Sequence, residues 1–95
     1  MIFKEGVEHD HLHPDLEAVL PFVEMEYNQT RIDNKMLPVD MVITSGHEGE
    51  PTKGPHSKKS KHYIKNCLTG YGEAVDIRMN DIQSTIATEA AGRIA

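Results

Sequence analysis

Two side chains in this sequence combine a residue type and a setting that offer chemistry, His62 and Asp76. The histidine follows Ser60 and Lys61. The aspartate comes after a turn containing Gly72, among Ala74, Val75 and Ile77. A neutral imidazole nitrogen and a carboxylate oxygen are a ligand pair that zinc accepts at hydrolytic sites. An aspartate buried in an apolar strand has to be paired, coordinated or protonated, because an isolated charge there is costly. The expectation is a metal site with Asp76 buried in its strand. The plainer alternative is a metal-free pair in which His62 and Asp76 only hydrogen-bond. His9, His11 and His13 form a second candidate group, alternating with Asp10 and Leu12 as ligands on one strand face would. Their neighbours read instead as the start of a helix.

That helix is signalled by Pro14, which suits a first helical position, and by Asp15 and Glu17, which complement the positive end of the helix dipole. Leu16, Val19, Leu20, Val23 and Tyr27 recur at three- and four-residue spacing and mark an amphipathic helix of about 13 residues, with Pro21 expected to kink or shorten it. Residues 28–38 read as a polar connection. Residues 39–44 are β-rich and end at Ser45 and Gly46, which suggests a buried strand. Between 46 and 61 the breakers Gly49, Pro51, Gly54 and Pro55 indicate a long surface loop of the kind that is functional or disordered. A second strand is expected at 73–79. Asn80 and Gln83 then fit a capping box, and Ile82, Ile86, Ala90 and Ile94 line one face of a last helix. The order is helix, strand, loop, strand, helix, without internal repeats. It implies a small α+β domain spanning residues 1–95, with an antiparallel sheet.

Composition narrows the partners. A chain of 95 residues, 38% apolar and 5% aromatic with no Trp, can build only a thin core. Such a core needs a metal, a disulfide or a partner. Cys67 is the one cysteine, so no internal disulfide forms, and with only Lys65 near it the thiol reads as inert. The net charge of −5 gives no general attraction for nucleic acid or for anionic membranes. The basic run Lys58, Lys59, Lys61 lacks interleaved aromatic residues and reads as a solvated loop. Oligomeric state stays open. No secretory signal opens the chain, so synthesis in the cytoplasm is expected, with any action at a cell wall following release.

The strand end Ile43-Thr44-Ser45-Gly46, the run from His56 to Tyr63, and Gly72-Glu73-Ala74-Val75-Asp76-Ile77-Arg78 together resemble one family. They look like the zinc D-alanyl-D-alanine carboxypeptidases and the related phage endolysins that cut L-Ala-D-Glu bonds in peptidoglycan. That family shows a strand ending in Ser-Gly, then Ser-x-His-x-x-Gly-x-Ala-x-Asp. The openings Phe3-Lys4-Glu5-Gly6-Val7 and Leu12-His13-Pro14-Asp15-Leu16 also resemble small phage-encoded members. The resemblance implies a hedgehog/D-Ala-D-Ala-peptidase-like fold, a Zn2+ cofactor, and a peptidoglycan stem peptide as substrate. It makes His62 the first metal ligand, Asp76 the second, and Ser60 a residue that shapes the loop around them. Arg78, on Asp76's strand face by the period-2 rule, is either a partner for a substrate carboxylate or a structural ion pair. His56, six residues before His62, touches either substrate or solvent, and solvent is the preferred reading.

Two departures from the family pattern are visible. Asp76 follows His62 by fourteen positions rather than the family's seven, which reads as an insertion of residues 64–70 at a hairpin tip. The family's third ligand and its general-base glutamate lie on a strand after the final helix, and this sequence stops at Ala95 without them. The expectation is a zinc peptidase of cell-wall peptides truncated before that strand. The alternative is an inactive relative that serves as a cell-wall or protein binding module.

Overall fold

The computed structural model describes residues 1–49, 56–57, 59–79 and 83–94. Pro51, Gly54, Pro55 and Lys58 of the expected loop, Asn80 and Ile82 of the last helix's start, and Ala95 lie outside the described residues. Strand β1 covers Ile2–Phe3, helix α1 Pro14–Asp33, strand β2 Val42–Ser45, strand β3 Asp76–Ile77 and helix α2 Ser84–Ile94, with a single 3₁₀ turn at Ile64–Asn66. The fold is α+β as expected. The sheet is mixed rather than antiparallel, in the order β1-β2-β3. β1 runs parallel to β2, with Ile2 opposite Val42, and β3 runs antiparallel to it. β1 has no period-2 signal because it is two residues long, and only pairing with β2 makes it a strand.

Helix α1 begins at Pro14, as its sequence indicates, with the His13 ring accepting from the Asp15 amide at 3.1 Å. It then runs 20 residues, through Pro21 and six residues into the expected polar connection. The cost of a proline inside a helix is about 3 kcal/mol. Burial of Leu20 and Tyr27, at about 1.5–3 kcal/mol each, offsets it. The polar end is held by tertiary partners: Asp33 pairs with Arg93 of α2 at 2.7 Å, and Asn34 donates to Glu89 at 2.8 Å. Asn28 both donates to and accepts from the backbone of Val39, tying α1 to the approach to β2. Val19, expected on the core face, is exposed.

Leu20, Tyr27, Met41, Ile43 and Ala90 form the buried core, with Val75, Ile77 and Met79 packed against it. That packing orients β3: its odd-numbered side chains face the core, so Asp76 and Arg78 face outward. The insertion is a compact loop rather than an extended hairpin tip. Glu73 N–H donates to Lys61 C=O at 3.0 Å and closes it, while Gly72 bridges to Leu12 of the N-terminal segment. Tyr63 and Cys67 are buried inside it.

Candidate metal centre

Asp76, His62 and His56 are brought together by the end of β2 and the loop that follows it. In the β2–β3 ladder Ile43 faces Ile77, but Ser45 faces Asp76, so β2 carries one extra residue at this point. Such a bulge re-aims the side chains beside it. It sets Ser45 and Gly46 against the two histidines.

His62 is buried, and its Nδ1 lies 2.8 Å from the Gly46 carbonyl oxygen, an acceptor only, so Nδ1 carries hydrogen and donates. The lone pair of the neutral ring is therefore on Nε2, which lies 3.3 Å from Asp76 Oδ1. With hydrogen on Nδ1 alone, that lone pair and the carboxylate can share a metal ion; with hydrogen on both nitrogens, Nε2–H faces the carboxylate instead. Charge-assisted N–H···O bonds close to about 2.7–2.9 Å. Two donors at about 2.1 Å from a tetrahedral metal stand about 3.4 Å apart. The 3.3 Å spacing leaves room for a metal ion between the two donors. A backbone carbonyl fixing the far nitrogen is also the usual support for a ligating histidine.

His56 is drawn into the same group, which corrects its reading as a solvent histidine. Its ring stacks on His62 with centroids 3.8 Å apart and planes within 6°. Its Nε2 is 4.0 Å from Asp76 Oδ2 and 2.7 Å from Ser45 Oγ. Its backbone is clamped by Tyr63, whose hydroxyl accepts from the His56 amide at 2.8 Å and donates to its carbonyl at 3.3 Å. One nitrogen or oxygen from each of His56, His62 and Asp76 lies within 4.8 Å of the others, a group that can hold a metal ion.

Asp76 departs from expectation in the opposite sense: its side chain is 52% exposed, not buried. Val75 and Ile77 take the core positions, and the aspartate points to solvent from the other face. Ser60 shapes the loop, its Oγ accepting from the His62 amide at 3.2 Å and its carbonyl from Asn66 at 2.9 Å. The Arg78 amide is paired with Val42, and its exposed side chain has no ion-pair partner among the described residues. Cys67 is buried, and burial first, then the nearby Glu73 charge, pushes its thiol pKa up, consistent with an inert thiol.

His9, His11 and His13 do not assemble. His9 stacks on Phe3, His11 stacks on Tyr71, and His13 caps α1. Two residues of the centre's surroundings escaped sequence reasoning. Glu48 accepts from Ser45 Oγ at 2.7 Å and from the Gly46 and Glu8 amides at 2.8 and 3.0 Å. Burial works to raise its pKa, but these hydrogen bonds outweigh burial and hold the carboxyl below its ordinary range. His47 pins the N-terminal segment, contacting Asp10 at 2.8 Å and Glu8 at 3.4 Å. Neither lies in a recognisable motif, and both act through a chain crossing that spacing does not encode.

The fold and site define a small α+β protein with a His-His-Asp group able to hold a metal ion. No family model, curated protein or solved structure matches the chain. Among the described residues no helix is long and apolar enough to cross a membrane.

Proposed function

We propose that this chain is a zinc-dependent peptidase of peptidoglycan stem peptides, of the D-Ala-D-Ala carboxypeptidase or L-Ala-D-Glu endopeptidase type, or a truncated member of that family. The observation that carries it is the His62 Nε2 to Asp76 Oδ1 spacing of 3.3 Å, with the other His62 nitrogen committed to a backbone carbonyl. An imidazole nitrogen and a carboxylate oxygen are borderline-to-hard donors suited to zinc. Bound zinc supplies Lewis acidity towards a peptide carbonyl and makes water acidic near neutrality. The chain's own part is to present His62 Nε2 and Asp76 on one open face and to keep the histidine in a single tautomer. Arg78, two residues along the same face with an unpaired guanidinium among the described residues, suits the carboxylate of a stem peptide. Action at the bacterial cell wall after release from the cytoplasm follows from that substrate.

The test is metal analysis of the purified chain followed by incubation with D-Ala-D-Ala and L-Ala-D-Glu peptides. One zinc per chain, lost in His62→Ala and Asp76→Ala, with amino-acid release by the wild type, is the expected result. A stoichiometry well below one that His62→Ala leaves unchanged refutes the metal centre. Stoichiometric zinc without turnover of either peptide refutes the peptidase and leaves a metal-binding relative that acts by docking.

A further inference from the structure

Ser45 Oγ stands between two partners, 2.7 Å from Glu48 Oε2 and 2.7 Å from His56 Nε2. A hydroxyl has one hydrogen to give, and an ionised carboxylate can only accept. Glu48 already takes two amide hydrogens on Oε1, from Gly46 and Glu8. The Ser45 hydrogen therefore goes to Glu48 Oε2, and Ser45 Oγ must accept from His56 Nε2–H. We propose that Glu48, acting through Ser45, is a positioning residue that keeps hydrogen on His56 Nε2, leaving His62 and Asp76 as metal ligands with His56 beside them as a donor.

The two stacked imidazoles then present opposite characters at the same atom. His62, donating from Nδ1 to Gly46, turns a lone pair towards Asp76. His56 has its one Nε2 hydrogen committed to Ser45, so its Nε2, 4.0 Å from Asp76 Oδ2, brings no lone pair to that carboxylate. His56 can join a metal through Nε2 only if the Ser45 hydroxyl reverses, and reversal would set a Ser45 lone pair against an ionised Glu48. The chain thus separates two histidines that look equivalent by distance alone. The inference rests on the metal reading above for its consequence, while the polarity of the chain can be tested without metal.

Glu48→Gln supplies the test because it reverses the polarity. Its carbonyl oxygen still serves the two amides, so its NH2 must face Ser45, which then accepts from Gln and donates to His56 Nε2. Long-range proton–nitrogen spectra of the metal-free protein at about pH 8, above the ordinary imidazole range, report each tautomer. The expected result is Nε2–H for His56 and Nδ1–H for His62 in the wild type. In Glu48→Gln, His56 moves to Nδ1–H while His62 is unchanged and certifies the fold. Should Glu48→Gln not fold, Ser45→Ala is read instead, with loss of the Nε2–H preference expected. A wild-type His56 already in the Nδ1–H form, or a His56 indifferent to the folded variant, overturns the proposal. Titration with Zn2+ alone is the second arm: His56→Ala should change Kd less than about threefold, and His62→Ala about a hundredfold or more. Equal losses would make His56 a ligand and overturn the proposal with the metal centre intact. Failure of the wild type to bind Zn2+ overturns the centre itself.

Discussion

Replacing Gly46 by alanine tests how the site is held against the N-terminal segment. The glycine's φ is outside the left-handed region, so its role is room rather than backbone freedom. A Cβ there would run into the carbonyl oxygen of Glu8, and would lie 3.0 Å from the Glu8 carbonyl carbon and 3.2 Å from Val7 Cγ1. Backbone cannot swing aside as a side-chain tip can, so residues 7–8 must lift from the loop. Lifting breaks the bond from the His47 amide to Glu8 C=O at 2.9 Å and the bond from the Glu8 amide to Glu48 at 3.0 Å. A neutral bond contributes about 1 kcal/mol and one to a carboxylate about 1.5–3 kcal/mol, so the loss is about 2.5–4 kcal/mol. At about 4–8 °C per kcal/mol for a domain of this size, Tm falls by about 10–30 °C. Circular-dichroism melting and a denaturant titration measure both quantities. A loss below about 1 kcal/mol would refute the clash argument and, with it, the view that this crossing holds the metal centre in shape.

Gly92→Ala is the counterpart: nothing lies within 4 Å of its Cβ in α2, so the change should add about 0.5–1 kcal/mol in the same denaturant assay. Lys35 has φ of +62° just past the end of α1, where Met36 N–H reaches back to Arg31 C=O, so Lys35→Gly should stabilise by about 0.5–1 kcal/mol. Tyr63→Phe removes the hydroxyl that clamps the His56 backbone and should lose about 1–3 kcal/mol, with the His56 ring signals broadened in proton spectra. Asp33 is held below the usual carboxylate range first by the Gln29 amide and then by Arg93. A carboxyl whose pKa is lower in the folded state adds stability above the ordinary range and loses it as pH falls. The stability gap between wild type and Asp33→Asn should therefore be present at neutral pH and close in acid, as followed by denaturant midpoints against pH.

Local pattern carried much of the fold. Pro14 with two acids after it marked the start of α1, because those preferences belong to the first helical turn itself. The apolar runs at 39–44 and 73–79 marked the regions of β2 and β3, although only Val42–Ser45 and Asp76–Ile77 pair as strands. The length of α1 was not legible. A polar stretch such as 28–33 is helical here because α2 lies against its end, and periodicity carries no record of a neighbour.

The same division runs through the site. By itself the sequence determined the donor types and two of their positions: a histidine ahead of a glycine turn, and an aspartate within a short apolar strand. It also determined that the thin core cannot be reinforced by an internal disulfide. Tertiary structure alone decided the rest. It turned Asp76 to solvent, because Val75 and Ile77 claimed the core, and it folded the extra residues into a closed loop so that His62 reached the aspartate. It also brought His56, Ser45 and Glu48 to the same place through a one-residue bulge in β2. The physical reason is that hydrogen-bond polarity and metal-ligand spacing depend on distances between segments far apart in the chain. Those distances are set by the packing of the whole domain, not by the spacing of any motif.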